Sequence, residues 1–179
     1  NDGAFWAPEF IDNERILYSV ASNFDDGGPS CAALAIAKKE RGKIIWEDSG
    51  MPLTCTTGKP TKTKNGEIEV EAIDPAYIYS PSGKAYLITG GGLIHGTEVN
   101  PENFQPLSGN WFSTDDPNWK TLARGPITDE EEEGIGDGHE WVEAPYVYYR
   151  EGFYYLFVNW GSCCRGAESD YNIRVGRSK

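Results

Sequence analysis

Two carboxylates depart from a pattern that the rest of the chain repeats. Pro8, Pro75 and Pro145 recur at intervals of 67 and 70 residues, and the pairs before them read Trp6-Ala7, Ile73-Asp74 and Glu143-Ala144. Asp74 takes the place of an alanine directly before its proline, and Glu143, one place earlier, stands where the other copies have Trp6 and Ile73. Where a repeat supplies structure, its departures can supply chemistry. The apolar neighbours Ile73, Val142 and Trp141 would strip water from these carboxyl groups and raise their pKa, which favours an acid that keeps its proton near neutrality. Two convergent carboxyl groups in an aromatic-walled cleft are the equipment of glycoside hydrolysis: one protonates the leaving oxygen and the other activates water or attacks the sugar. The pattern alone leaves a second reading open, in which Asp74 caps a turn and Glu143 pairs with an arginine such as Arg174.

The elements that would position them share one grammar. Phe5-Trp6-Ala7-Pro8-Glu9-Phe10-Ile11 is followed by Ile16–Val20 and Ala32–Ala37; Ala72–Ile78 by Ala85–Ile88 and Gly96–Val99; Val142–Tyr148 by Phe153–Val158 and Tyr171–Gly176. Short runs rich in β-branched and aromatic residues, separated by Gly, Asp, Asn and Pro, predict antiparallel strands joined by hairpins. Lys43–Glu47 predicts a fourth strand in the first copy. Small sheets at a fixed interval predict an all-β β-propeller whose first strands line the axis; two stacked meanders in a β-sandwich are the alternative. Each proline is expected at the start of its strand, where no ladder donor is needed. The stretch from Pro101 to Gly138 shows no period and reads as an insertion or surface loop, and the acidic run Thr128–Gly134 as a solvated loop without calcium-loop spacing.

The 179 residues, 39% hydrophobic and 13% aromatic, suffice for one sizeable core, read as a single domain over 1–179. Sixteen Lys and Arg against 28 Asp and Glu give a net charge of −12 without a large basic cluster, which argues against nucleic acid and acidic membrane surfaces as partners. No apolar run reaches the roughly 20 residues of a membrane helix, and Asn1-Asp2-Gly3 lacks the features of a signal peptide. Cys31, Cys55, Cys163 and Cys164 lack zinc-site spacing. A Cys31–Cys55 bridge with a vicinal or partnered Cys163 and Cys164 would suit an oxidising compartment, secreted or periplasmic. His95, after Gly90-Gly91-Gly92, is a channel-lining or a packing residue, and His139 fits no zinc motif. No metal site is read from these residues. The glycine run follows a strand without a helix to bind phosphate.

With these residues in place, Phe5-Trp6-Ala7-Pro8-Glu9, Tyr18-Ser19-Val20, Ala72-Ile73-Asp74-Pro75, Val142-Glu143-Ala144-Pro145-Tyr146, Tyr154–Gly166 and Tyr171–Ser178 resemble glycoside hydrolase family 43, and within it the endo-1,5-α-L-arabinanases. The resemblance implies a five-bladed propeller, of which about three blades' worth of sequence is present, and an inverting hydrolase acting on arabinan. It implies Glu143 as general acid, Asp74 as the aspartate that tunes and orients it, and Trp6 and Phe24 as aromatic contacts to the sugar chain. Cys163-Cys164 matches a pair found in many arabinanases. The family's general base, an aspartate on the blade before the Trp6-Ala7-Pro8 motif, has no counterpart here; Asp2 and Asp12 do not occupy its position. No cofactor is required from this chain, and the resemblance is compatible with a structural calcium ion in the complete propeller. Open apolar blade faces would call for a complementing polypeptide or self-association. The alternatives are an exo-acting arabinofuranosidase, xylosidase or galactosidase of the same family, and a non-catalytic carbohydrate-binding propeller remnant.

Overall fold

A computed structural model describes residues 4–21, 29–56, 61–63, 66–68, 70–109, 116–125 and 141–179. Three antiparallel sheets follow one another along the chain. The first comprises β1 (Ala4–Phe10), β2 (Arg15–Ala21), β3 (Ser30–Glu40) and β4 (Lys43–Asp48) in sequential order, with β5 (Thr54–Thr56) also on β3. A separate hairpin joins β6 (Thr61–Thr63) and β7 (Gly66–Ile68). The second sheet runs outward from β8 (Ala76–Tyr79) through β9 (Ala85–Thr89) and β10 (Leu93–Val99) to β11 (Lys120–Arg124). The third is β12 (Val142–Arg150), β13 (Phe153–Trp160) and β14 (Asn172–Ser178). These are consecutive meander blades of a β-propeller, as the threefold grammar predicts, and the fourth strand at Lys43 is present as β4.

Alternation along each strand gives every blade two faces, and facing sides of successive blades build the core. Leu17, Leu34 and Leu53 of the first blade meet Ala85, Leu87, Val99 and Phe104 of the second. Ile88 and Ile94 of the second meet Val142 and Val158 of the third. The far face of the first blade leaves Phe5, Phe10, Ile44 and Trp46 exposed, and that of the third exposes Tyr146, Tyr148, Ile173 and Val175. Cys31 and Cys55, opposite each other on β3 and β5, form one disulfide, and Cys163–Cys164 forms the second.

Two expectations are corrected. Pro8 and Pro145 do not start strands: register shifts between Trp6 and Glu9 and between Glu143 and Tyr146 place them in bulges inside β1 and β12, where the interrupted ladder makes the missing donor harmless. Pro75 alone sits just ahead of its strand, β8. The stretch after Pro101 is also more than a loop. Phe104 is fully buried in the core between the first two blades, Trp119 is buried, and Lys120–Arg124 is the outer strand β11. An edge strand that is exposed along most of its length leaves no apolar signature to read. The acidic run Thr128–Gly134 and His139 lie outside the described residues.

Candidate functional site

The three proline motifs converge. Ala7-Pro8-Glu9, Asp74-Pro75-Ala76 and Ala144-Pro145-Tyr146, equivalent tripeptides from three blades, line one cavity of about 240 Å³. The residue before each proline is left-handed, with φ of 52° at Ala7, 51° at Asp74 and 50° at Ala144. That conformation costs a non-glycine residue about 1–3 kcal/mol and persists only where its surroundings over-determine it. Its threefold recurrence shows that one local backbone geometry, within a bulge at Ala7 and Ala144 and just ahead of β8 at Asp74, brings each chain to this cavity.

Asp74 and Glu143 meet across the boundary of the second and third blades. Asp74 Oδ2 accepts the Ala144 backbone N–H at 3.0 Å, directly beside Glu143. Glu143 Oε2 accepts the indole Nε1–H of Trp141 at 2.9 Å. Burial raises the pKa of Asp74, against the Ala144 N–H, which favours its charged form. Burial likewise raises Glu143, and the nearby Asp74 charge raises it further, while the indole hydrogen bond pulls the other way. Arg174 does not neutralise Glu143: its guanidinium lies 3.8 Å over the Trp160 ring and its Nε reaches Asn172. Asp74 is no simple turn cap, because its carboxylate bonds a different blade.

The glycine run forms the floor beneath Trp141. Gly90 N–H bonds Ile73 C=O at 2.9 Å, Gly91 and Glu71 exchange both backbone bonds, and Gly92 N–H bonds Val142 C=O at 2.8 Å. A Cβ at Gly91 would lie 2.9 Å from Trp141 Cζ2 and 3.0 Å from Ile73 Cδ1. Gly91→Ala is therefore expected to push the indole off its seat and loosen Glu143 and, with Glu143 read as a general acid, to lower kcat/KM of the complete protein about 10- to 100-fold. Steady-state kinetics of that variant check it.

Other candidates fall elsewhere. Trp6 lines a neighbouring cleft with Phe5, Ile16, Tyr18 and Trp46, and the two hollows share Pro8. Phe24 lies outside the described residues. His95 is a packing residue: fully buried on β10, it meets Trp119 edge-on with ring centroids 5.3 Å apart, and burial pushes its pKa down to about 3. Asp12 is tied to Arg15 at 2.8 Å on the surface. Among the described residues no group of three or more His, Cys, Asp or Glu is placed to hold a metal ion, so the calcium implied for a complete propeller finds no donor set among them. Glu9 was missed. It lines the axial cavity and burial raises its pKa. The signal was available, because Glu9 breaks the repeat one place after proline, where the other copies have Ala76 and Tyr146.

The profile of Glycosyl hydrolases family 43 matches residues 1–179. The extracellular exo-α-(1→5)-L-arabinofuranosidase ArbA of Cellvibrio japonicus (strain Ueda107) is 27% identical over 185 residues, covering 99% of this chain and 48% of its own length. The extracellular endo-α-(1→5)-L-arabinanase 2 of Bacillus subtilis (strain 168) is 30% identical over 186 residues, covering 97% and 34%. The chain thus spans half or less of these relatives. Among solved structures, the GH43 endo-arabinanase from Bacillus licheniformis superposes with a TM-score of 0.68 at 26% identity, covering 97% of this chain and 51% of that one. The exo-1,5-α-L-arabinanase from a bovine ruminal metagenomic library gives 0.67 at 27%, with the same coverage. The match over the whole chain, the propeller blades and the paired carboxylates lead to one conclusion: this chain belongs to glycosyl hydrolases family 43.

Proposed function

We propose that the protein containing these residues hydrolyses α-1,5-linked arabinan by single displacement. Glu143 is the general acid, Asp74 supports it, and a base outside residues 1–179 activates water. The observation that supports this reading is the hydrogen bond from Ala144 N–H to Asp74, which ties a desolvated carboxylate lining the axial cavity to the backbone next to the desolvated Glu143. The indole of Trp141 occupies Glu143 Oε2, so the proton of the neutral acid resides on Oε1. As the C1–O bond breaks, that proton passes to the departing oxygen while the base takes one from the attacking water. The base and Glu143 carboxyls then stand roughly 6.5–9.5 Å apart, the inverting range.

Trp6 and Phe24 supply aromatic surface to the sugar chain in this reading, Trp6 from the cleft that adjoins the axial cavity at Pro8. Residues 1–179 form part of one propeller domain. The exposed Phe5, Phe10 and Trp46 on one side and Ile173 and Val175 on the other are the faces on which further blades, a complementing polypeptide or a second copy would pack. Relatives named extracellular and four cysteines all in disulfides support a secreted or periplasmic location. The relative named an exo-arabinofuranosidase favours exo action as a second reading.

Incubating the complete protein with linear α-1,5-arabinan and, separately, with β-1,4-xylan tests the substrate. Release of reducing ends from arabinan alone is expected, with mixed oligomers for endo action or one product for exo action. Hydrolysis of xylan without arabinan would overturn the assignment, and no turnover of either would leave a binding propeller.

A further inference from the structure

The left-handed residues Asp74 and Ala144 both send their part-buried backbone N–H to a side chain of the preceding blade, and a donor withdrawn from water needs such an acceptor. At the boundary of the second and third blades the acceptor for Ala144 N–H is the carboxylate of Asp74, at 3.0 Å. At the boundary of the first and second blades the equivalent donor is Asp74 N–H, and its acceptor is the hydroxyl of Ser19, at 2.8 Å. Ser19 lies on β2 opposite Trp6 and is fully buried on the face turned to the second blade. The same blade grips the approach to Asp74 once more, since Ser30 Oγ accepts Ala72 N–H at 2.8 Å. Ile73 between them is held through its carbonyl by Gly90 N–H and Thr89 Oγ1. A relay therefore crosses all three blades, from Ser19 to Asp74 to the backbone beside Glu143.

We propose that Ser19 is a positioning residue: by capping the left-handed backbone of Asp74 it aims the Asp74 carboxylate at Ala144 N–H and keeps it against Glu143. This rests on the reading of Glu143 as general acid. In the Ser19→Ala variant the Asp74 N–H loses its acceptor, the strained backbone loses its anchor, and the carboxylate drifts from its neighbour. Glu143, faced by Asp74 and the Trp141 indole, would then lose the charge that helps hold its proton.

The test is the pH dependence of kcat/KM on an arabino-oligosaccharide, measured on the complete protein. Ser19→Ala is expected to lower kcat about tenfold with KM within about twofold, as loss of alignment rather than of binding. Its alkaline limb is expected to move to lower pH. In an Asp74→Asn background the same change should leave the limb where Asp74→Asn alone puts it, because Ser19 acts through Asp74. If Ser19→Ala does not accumulate folded, Ser19→Thr, which keeps the oxygen, should retain the wild-type limb, and Ser19→Cys, with a weak sulfur acceptor, should shift it. A wild-type profile in Ser19→Ala or Ser19→Cys, or a further shift in the Asp74→Asn background, would overturn the proposal. Unimpaired activity in Glu143→Gln would instead remove the reading beneath it.

Discussion

Glu143→Gln in the complete protein is expected to lower kcat/KM on arabinan by about 10²- to 10⁴-fold, the usual contribution of a positioned general acid. Glutamine matches glutamate in shape and its amide oxygen can still accept the Trp141 indole N–H, so the loss isolates the proton and not the packing. The same variant should gain stability. Burial holds the Glu143 carboxyl above its ordinary value of 4.5, so between that value and the raised one the folded state binds more protons than the unfolded, and stability falls as pH rises through the window. Glutamine removes this cost of ionisation. Its Tm is expected above wild type at pH 7, with the gain disappearing below about pH 4, where both states of the wild type are protonated. Thermal denaturation at the two pH values checks the sign.

Asp74 carries the second large effect, and two substitutions divide it. Asn keeps an oxygen for Ala144 N–H and removes the charge that helps raise Glu143, so the alkaline limb of kcat/KM is expected to move to lower pH. Ala removes the acceptor as well. Leaving the Ala144 N–H unpaired costs about 1–3 kcal/mol and frees the backbone beside Glu143. Asp74→Ala is therefore expected to be less stable than Asp74→Asn and to lose a further about 10- to 100-fold in kcat through misalignment. A limb that stays in place in Asp74→Asn would mean that the carboxylate charge does not act on the acid.

The prolines and their flanking residues made much of this legible. A period near 70 residues predicted blades, and departures from the repeat singled out Asp74 and Glu143, which the fold brings together. The missing part has physical causes. Residues before proline ordinarily favour extended backbone, so nothing in the sequence announced that Ala7, Asp74 and Ala144 would all be left-handed. Without that conformation the bulges, the displaced N–H groups and the need for Ser19 stay hidden. Strand alternation makes a buried serine such as Ser19 look like any inward position, although its polarity among Leu17, Val20 and Ala21 was a cue. Glu9 was open to the same comparison that found Asp74. Trp141 and Gly91 could not be paired in advance, because the contact joins distant segments through the absence of a side chain.

The most direct measurement compares leaving groups. A general acid matters only when the departing oxygen needs a proton, so wild type and Glu143→Gln are assayed on α-1,5-arabino-oligosaccharide and on an aryl arabinofuranoside whose phenol leaves readily as its anion. The expected result is a loss of about 10²- to 10⁴-fold on the oligosaccharide with near wild-type turnover of the aryl substrate. An equal loss on both would contradict the assignment of Glu143 as the proton donor.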